Sequence, residues 1–407
     1  MSKILQICVE GNTGSTGKIA EEIGLLCMQN GWKSYIAHGR FPRPSSSTII
    51  KIGSGIDILF HGLVTRLFDR HGLGSCRATR KLVNQIKAIK PDIIHLHHLH
   101  GYYINIEILF NYLSNANIPV VWTFHDCWSM TGHCCHFDFV NCDKWKTECT
   151  NCPQKGEYPS SYFIDRSRKN FYLKKKLFTS VKNMAIVSVS HWLDSIVSQS
   201  FLKNTRHQFI YNGIDLELFK PNFYIDTKRK YGIEKSFNIL GIANPWTERK
   251  GLNEFIKLSK YLNDDEKIIL VGLNESQIKL LPKNIVGLKK TENRQHLIEL
   301  YNTADIFVNL SVEETFGLTT AEALACGTPA IVYNTTACPE IIDYRTGIVV
   351  KKNDIIGVKN AIDEIRKKGK LNYSQNCRSR AENHFNKTDR LQEYFELYKQ
   401  LLAPGLN

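Results

Sequence analysis

Two carboxylates in the C-terminal half of the chain, Glu314 and Glu322, stand eight residues apart. Gly317 marks a loop between them, and a helical pattern begins near Leu318. The first amides of a helix and the positive end of its dipole bind phosphate. A carboxylate beside them accepts hydrogens from hydroxyl groups such as those of a ribose. The segment therefore predicts a site for a phosphorylated ligand that carries hydroxyl groups. The alternative is that both glutamates are solvated surface residues without a ligand.

Short apolar runs alternate with longer amphipathic stretches along the whole chain, which predicts parallel strands joined by helices. The alternation restarts after residue 217, beyond a polar stretch that contains Gly213 and Pro221. We therefore predict an N-terminal α/β domain over residues 1–216, a second α/β domain over 217–388 and a C-terminal helix over 389–407 that packs back on the N-terminal domain. In parallel sheets, ligands bind beyond the carboxyl ends of the strands.

The first predicted turn is rich in glycine and covers Gly11–Lys18, between a strand and a helix. A phosphate-binding P-loop ending at that lysine would need glycine in place of Asn12 and a hydroxyl residue in place of Ile19, so this motif is excluded. Gly14 and Ser15 still allow a ligand to approach the backbone closely. The alternative is a tight turn with no ligand.

Histidines stand at the ends of two predicted strands. His125 ends one of them, where it either faces a ligand or is a hydrogen-bonded core residue. Four histidines end the preceding strand: His95, His97, His98 and His100. Strand alternation puts the first two on one face and the last two on the other. We expect no metal site there, because no carboxylate partner is evident nearby.

Half of the twelve cysteines are clustered in the first predicted domain. Cys149 and Cys152 have the two-residue spacing of a metal-binding pair, and Cys142 with either Cys134 or Cys135 would complete a tetrahedral thiolate site. Three interpretations stay open: a structural zinc, a disulfide-capable knot and reduced thiols without a ligand. Zinc is favoured over the knot if the compartment is reducing.

The chain has 407 residues, 43% hydrophobic and 23% charged, as is typical of globular domains. No apolar run is long enough to cross a bilayer and no signal peptide is recognisable, so we expect a cytoplasmic protein. The formal net charge of +14 is concentrated in residues 1–216, which hold 25 Lys and Arg against 15 Asp and Glu. A basic half attracts phosphates, anionic lipid or nucleic acid, or is simply a solvated surface. The amphipathic segment 55–70 either touches the membrane surface or packs on its own domain.

The segment around Glu314 and Glu322 resembles the E-x7-E signature of the retaining family 4 glycosyltransferases. The stretch Tyr211–Asp215 resembles another motif of that family, and the likeness covers nearly the whole chain. It implies the GT-B architecture, in which two Rossmann-like domains face a central cleft. The cysteine-rich insertion near residues 127–158 resembles one found in the transferases of colanic acid and related exopolysaccharides.

The resemblance also implies roles for individual residues. It places Glu314 and His125 beside the transferred sugar as the catalytic pair, Glu322 on the nucleotide ribose and Lys250 on the donor phosphates. Further donor contacts are implied for a set of mainly loop residues: Arg249, Asn244, Phe316, Gly317, Leu318, Gly287, Gly14 and Ser15. The family has an arginine where this chain has Asn244, so Arg249 would supply the missing charge.

The implied reaction moves a hexose from a nucleoside-diphosphate sugar to a growing glycan, with retention of configuration and without a cofactor for catalysis. The expected acceptor is a glycan or a lipid-linked oligosaccharide of surface polysaccharide biosynthesis, reached by peripheral contact with the inner face of the membrane. Nucleic acid is not an expected partner, because no such binding motif is present. The alternatives are a sugar-nucleotide 2-epimerase on the same fold and a non-enzymatic nucleic-acid-binding protein.

Overall fold

The computed structural model describes residues 1–403 and contains two compact α/β units. One unit comprises residues 1–210 together with the chain from Leu391 onward, and the other comprises residues 211–390. The first boundary therefore lies a few residues before the predicted one at residue 216, because the stretch that starts at Tyr211 groups with the second unit. The predicted C-terminal helix over 389–407 corresponds to a helix over Lys387–Leu402, and its residues 404–407 lie outside the described chain.

Within the described chain, the first unit has a seven-stranded sheet whose pairings are all parallel. Its strands are β1 (Lys3–Glu10), β2 (Lys33–Arg40), β3 (Thr48–Lys51), β4 (Ile93–Leu96), β5 (Val120–Phe124), β6 (Met184–Ser188) and β7 (Arg206–Phe209). Its helices are α1 (Gly14–Gln29), α2 (Gly55–Phe68), α3 (Cys76–Ile89), α4 (Ile106–Leu113), α5 (Ser167–Phe178) and α6 (His191–Gln199). The strand order is β3-β2-β1-β4-β5-β6-β7.

Within residues 1–403, the second unit has a six-stranded parallel sheet with the order β10-β9-β8-β11-β12-β13. Its strands are β8 (Phe237–Ile242), β9 (Glu266–Val271), β10 (Ile285–Leu288), β11 (Ile306–Asn309), β12 (Ala330–Tyr333) and β13 (Gly347–Val350). Its helices are α7 (Ile225–Lys230), α8 (Leu252–Leu258), α9 (Glu275–Lys279), α10 (Arg294–Thr303), α11 (Leu318–Ala325), α12 (Cys338–Ile341), α13 (Ile355–Lys368) and α14 (Leu371–Phe385), and α15 (Lys387–Leu402) follows. No helix within residues 1–403 is both long and apolar enough to cross a membrane.

The central strands of both sheets are almost wholly buried. In β5 and β6 every residue is buried, and the same is true of β11 and β12. Helices cover both faces of such a parallel sheet, so its central strands are continuous apolar runs rather than alternating ones. The apolar runs in the sequence predicted these strands for this reason.

Strand order reverses once in each sheet. In the first sheet the reversal lies between β1 and β4, and in the second it lies between β8 and β11. At such a switch point the two following loops diverge to opposite faces of the sheet and leave a crevice for a ligand. Most candidate site residues lie in or directly after the loops that follow β1, β8 and β11, whereas His125 follows β5.

The last helix supplies part of the core of the first unit. Phe395 is buried against Trp32, with their ring centroids 5.3 Å apart. The Tyr398 hydroxyl lies 2.6 Å from Nδ1 of His95, whose Nε2 lies 2.8 Å from the hydroxyl of Thr123. The chain from Leu391 onward therefore completes both the apolar packing and the buried hydrogen bonds of the first unit.

Replacing Phe395 with alanine should lower the free energy of unfolding of the first unit by about 3–5 kcal/mol, because a buried ring is lost and a cavity remains. Urea unfolding followed by tryptophan fluorescence measures this, since all tryptophans except Trp246 lie in the first unit. Glu396→Ala, one residue along the same helix, is the matched control and should leave the transition in place. An unshifted transition in Phe395→Ala would show that the helix does not stabilise this unit.

Candidate active site

An ion pair lies at the switch point of the second sheet. Lys250 follows β8, Glu314 follows β11, and Nζ of the lysine lies 2.5 Å from Oε1 of the glutamate. Both side chains are mostly buried, with about a fifth or less of each exposed. Burial alone would raise the pKa of Glu314, but the Lys250 ammonium and the nearby Arg249 hold it below its ordinary value. The carboxylate is therefore ionised at neutral pH.

Backbone contacts hold these two loops together. The Arg249 guanidinium donates to the carbonyl of Glu313 at 2.6 Å, and the Val312 amide donates to the carbonyl of Arg249 at 2.9 Å. Gly251 has a φ of 80°, and a Cβ there would meet the carbonyl oxygen of Leu310 at 2.4 Å. The tight approach of the two loops thus requires glycine at this position. The predicted phosphate contact of Arg249 is untested, but its guanidinium has a clear structural role.

Helix α11 begins directly after Glu314 and its loop. Gly317 precedes the helix with a φ of 104°, a conformation that favours glycine. Leu318 is the first helical residue, so the first amides of α11 lie beside the ion pair in sequence. Phe316 is buried against Tyr211, and this contact anchors the loop between β11 and α11. Positive backbone charge and the Lys250 ammonium are therefore concentrated at the same loop, as an anionic ligand would require.

Glu322 lies about one turn inside α11. The hydroxyl of Tyr301 donates to its Oε2 at 2.8 Å, and the tyrosine ring is fully buried. This contact fixes the orientation of the carboxylate while the residue itself stays partly exposed. Such a carboxylate is suited to accept hydrogen bonds from a diol.

Two further predicted donor contacts lie elsewhere on the same unit. Asn244 is exposed in the loop after β8, where it carries no charge that would replace the expected arginine. Gly287 lies inside β10, and a Cβ there would meet Leu281 at 2.5 Å and Leu273 at 3.1 Å. Close packing by itself explains the glycine at this position.

The histidines cluster at the carboxyl ends of β4 and β5 in the first unit. Nε2 of His125 lies 3.3 Å from Nδ1 of His97, whose Nε2 lies 3.1 Å from the Gln6 side-chain oxygen. Burial, together with the neighbouring His98 and His97, holds the pKa of His125 well below its ordinary value. The ring is therefore neutral at neutral pH and suited to orient a hydroxyl group rather than to pair with a phosphate charge.

The expectation that these histidines lack a carboxylate partner is wrong. His100 donates from Nε2 to Oδ2 of Asp126 at 2.6 Å, and Nε2 of His98 lies 3.4 Å from the same oxygen. Burial alone would raise the pKa of Asp126, but the adjacent His100 holds this pKa well below its usual value. The donor atoms of these three residues converge within 4.8 Å, as a metal site would need. Asp126 also accepts from the Trp128 amide at 2.9 Å, so hydrogen bonds already account for its placement.

The glycine-rich turn lies at the switch point of the first sheet. Gly14 has a φ of 66°, and a Cβ there would collide with the Glu10 carboxylate. Ser15 is exposed at the start of α1, while the Thr16 hydroxyl lies 3.3 Å from Nδ1 of His98. The turn and the histidine cluster are therefore neighbours within one unit.

The cysteines predicted as metal ligands are also brought together. Four of them line one small cavity in the insertion between β5 and α5: Cys134, Cys142, Cys149 and Cys152. Cys135 is buried but does not line it.

Sequence patterns missed the residues that support the site from a distance. Thr336 accepts from the Glu314 amide at 2.9 Å, and Tyr301 orients Glu322. Neither residue belongs to a motif, and each contact joins positions about twenty residues apart. Asp126 was within reach of the sequence argument, because it directly follows His125.

Comparisons with known proteins agree with this arrangement. The pattern described as "Glycosyltransferase Family 4" matches residues 27–218, and the pattern described as "Glycosyl transferases group 1" matches residues 224–384. The chain is 24% identical over 372 residues to the putative colanic acid biosynthesis glycosyl transferase WcaC of Escherichia coli K12, covering 87% of this chain and 88% of that protein.

Two solved structures share the fold. Sucrose-phosphate synthase from Thermosynechococcus elongatus superposes with a TM-score of 0.74 at 17% identity and covers all of both chains. HepE from Anabaena, in complex with UDP and glucose, superposes with a TM-score of 0.68 at 16% identity and covers 98% of this chain and all of that one.

The chain is therefore a glycosyltransferase with the GT-B fold, built from a family 4 domain and a following group 1 domain. This confirms the predicted fold and the predicted class of enzyme. Retention of configuration and a colanic-acid-like role stay predictions, as do the roles of the individual site residues.

Replacing Lys250 with methionine should weaken the binding of uridine diphosphate roughly 10- to 100-fold, because a charge-assisted hydrogen bond to phosphate contributes about 1.5–3 kcal/mol. Isothermal titration calorimetry of the full chain measures the change. Lys257→Met is the matched control, since Lys257 lies on α8 in an exposed ion pair with Glu254. Equal affinities in Lys250→Met and the wild-type protein would remove Lys250 from the phosphate site.

Proposed function

We propose that this enzyme transfers a hexose from a nucleoside-diphosphate sugar, with retention of configuration, to a lipid-linked glycan in the synthesis of a surface polysaccharide. The observation that carries the proposal is the buried pair of Lys250 and Glu314 beside the N-terminus of α11. Such a site offers a cation and backbone amides for a diphosphate and a carboxylate for a sugar. The similarity to WcaC supports a polysaccharide product, and the UDP complex of HepE supports a uridine nucleotide.

The proposed donor site lies on the second unit. Lys250 and the first amides of α11 hold the diphosphate, and Glu322, oriented by Tyr301, accepts hydrogen bonds from the ribose. When the donor phosphate binds, it replaces Glu314 as the partner of the Lys250 ammonium. The carboxylate of Glu314 then becomes free to bind the sugar hydroxyls. Before the donor binds, the ion pair thus keeps the Glu314 carboxylate ionised and in place.

In the proposed reaction the bond from the anomeric carbon to the diphosphate oxygen breaks while the acceptor oxygen bonds to the same carbon from the same face. The acceptor proton passes to the departing phosphate oxygen, and Lys250 and the helix amides stabilise the charge that develops there. Glu314 orients the hydroxyl groups of the donor sugar. On the first unit, the neutral His125 is suited to orient a hydroxyl group. No cofactor is needed to balance this step.

The proposed contact with the membrane is made by α2. Four apolar residues on α2 follow one another at helical spacing on one face and are 49–79% exposed: Ile56, Leu59, Phe60 and Leu63. The buried face of the helix instead carries His61, Gly62 and Thr65. An apolar stripe that faces outward, with Arg66 and Arg70 nearby, is typical of a helix at an anionic membrane surface.

Beside α2 lies a cavity of about 720 Å³. Apolar side chains, three arginines and one carboxylate are among the residues that line it: Phe60, Val64, Phe68, Arg70, Arg77, Arg166 and Asp57. This combination suits an amphipathic anion such as a lipid-linked phosphate, and we propose that the acceptor approaches here.

A thermal-shift panel of UDP-, GDP-, ADP- and CDP-hexoses tests the donor. A UDP-hexose at about 100 times its dissociation constant should stabilise the protein by about 2.7 kcal/mol, whereas the other nucleotides should not. Proton NMR of the released or transferred sugar should then show the anomeric configuration of the donor. A C2 epimer still linked to the nucleotide would instead establish a 2-epimerase, and a salt-sensitive response to an oligonucleotide alone would favour nucleic-acid binding.

Replacing Glu314 with glutamine should lower the rate of nucleoside-diphosphate release about 100-fold or more, because the sugar is no longer held in its reactive orientation. The affinity for the nucleoside diphosphate itself should fall far less, since Lys250 remains. Glu248→Gln, an exposed position in the same basic loop, is the control and should keep full activity. A Glu314→Gln enzyme with wild-type turnover would exclude this carboxylate from the reaction.

Replacing both Leu59 and Phe60 with serine should abolish flotation of the protein with vesicles of phosphatidylglycerol and phosphatidylcholine, because the apolar stripe is lost. Binding of the wild-type protein should weaken at high salt and be weaker to pure phosphatidylcholine. Leu371→Ser, an exposed leucine at the start of α14, is the control. Equal flotation of the double variant and the wild-type protein would exclude α2 as the contact.

A further inference from the structure

The insertion between β5 and α5 is long and compact but has almost no regular structure. Its secondary structure consists of three short 3-10 turns, Trp128–Met130, Asp138–Val140 and Lys144–Lys146, within residues 125–166. Irregular loops of this length are uncommon in compact domains unless something other than a strand or helix holds them. Several of its residues, among them Trp128 and Trp145, are nevertheless buried.

Four cysteines of the insertion surround one space. Cys134, Cys142, Cys149 and Cys152 all line a cavity of about 10 Å³, roughly enough for one atom or one water molecule. Cys134 and Cys152 are close enough for their thiols to hydrogen-bond. None of the twelve cysteines is joined to another by a disulfide.

Two buried nitrogen atoms on the lining of this cavity lack partners. Nε2 of His133 and Nε1 of Trp145 have no hydrogen-bond partner among the described residues, and both side chains are almost completely buried. A buried polar group without a partner costs about 1–3 kcal/mol. The indole nitrogen is only a donor, so it needs an acceptor, and a neutral thiol is a weak one. A thiolate that carries negative charge would be a stronger acceptor for the indole nitrogen.

His133 is held in place from its other side. Its Nδ1 lies 2.6 Å from Oδ1 of Asp69, and both side chains are inaccessible to solvent. The second oxygen of Asp69 accepts from the Arg166 amide at 2.7 Å. Asp69 therefore fixes the ring of His133 and links two distant parts of the insertion.

The geometry points to a structural zinc ion held by the thiolates of Cys134, Cys142, Cys149 and Cys152, with the indole nitrogen of Trp145 as a hydrogen-bond donor to a ligand sulfur atom. Four sulfur ligands make a closed tetrahedral site, which stabilises a loop and leaves no position for a substrate. Among the described residues, three metal-binding atoms lie within 4.8 Å of one another only at His98, His100 and Asp126. The four sulfur atoms are therefore farther apart than zinc ligands, and zinc binding would draw them closer together.

The zinc would stabilise the insertion at the point where it meets the histidine cluster. The Tyr158 hydroxyl lies 3.0 Å from Nδ1 of His100, and the Trp128 amide donates to Asp126. Both Tyr158 and Trp128 belong to the insertion. Lys144 and Lys146 are exposed in one 3-10 turn of the insertion. Loss of the metal should therefore loosen residues 133–158 and make the chain at these two lysines accessible to trypsin.

Metal analysis of the full chain tests the assignment, with protein purified without a metal-chelating tag. We expect roughly one zinc per chain, bound at about 2.3 Å by four sulfur atoms in the X-ray absorption spectrum. Cys142→Ser and Cys152→Ser should lose the zinc, whereas Cys135→Ser and the distant Cys76→Ser should keep it. His133→Ala should also keep the zinc, because the four sulfur atoms complete the site without a nitrogen ligand.

The absorption spectrum of the wild-type protein needs no variant, so the test stands even if a cysteine variant does not fold. Absence of zinc after dialysis against zinc chloride would overturn the proposal. A first shell containing oxygen or nitrogen, or disulfides among the four cysteines in the non-reduced protein, would overturn it as well.

Discussion

Every strand of both sheets runs in the same direction as its neighbours, and the position of the site depends on this constraint. Parallel pairing places the carboxyl ends of all strands at one edge, so loops that are distant in sequence begin side by side. The strand order reverses between β1 and β4 and again between β8 and β11. The loops that diverge at these two points contain the glycine-rich turn and the histidines in one unit and Lys250 and Glu314 in the other.

The two units place different electrostatic environments at these edges. The second unit has a lysine, an arginine and a helix N-terminus around one ionised carboxylate. The first unit has buried, neutral imidazoles linked by hydrogen bonds, with Asp126 as the charged member. The second unit is thus suited to hold an anion, and the first is suited to orient hydroxyl groups.

The insertion after β5 faces a different physical problem. It buries indole and imidazole groups without a sheet or a long helix to satisfy their polar atoms. Asp69, at the end of α2, contacts both ends of the insertion through His133 and Arg166. The same helix carries the exposed apolar stripe, so the insertion and the proposed membrane contact share one support.

The sequence by itself determined the fold class and the positions of most strands, and its resemblance to a known family indicated the enzyme class. Apolar periodicity and the order of motifs are local properties, and they survive in a single sequence. The edge strands β3, β7 and β13 were not predicted, because each is four residues long and only partly buried. The family resemblance likewise identified Glu314, Glu322 and Lys250 as candidates without any distance between them.

Only the tertiary structure decided which groups meet. That Lys250 pairs with Glu314, that Tyr301 orients Glu322 and that Asp126 joins His98 and His100 depends on contacts between loops far apart in the chain. It also decided that α2 turns its apolar stripe outward, since periodicity shows that a stripe exists but not which face the rest of the domain covers. Burial then sets the protonation state of His125, because the pKa of an imidazole responds to its desolvation and its neighbours, and neither is encoded by residue type.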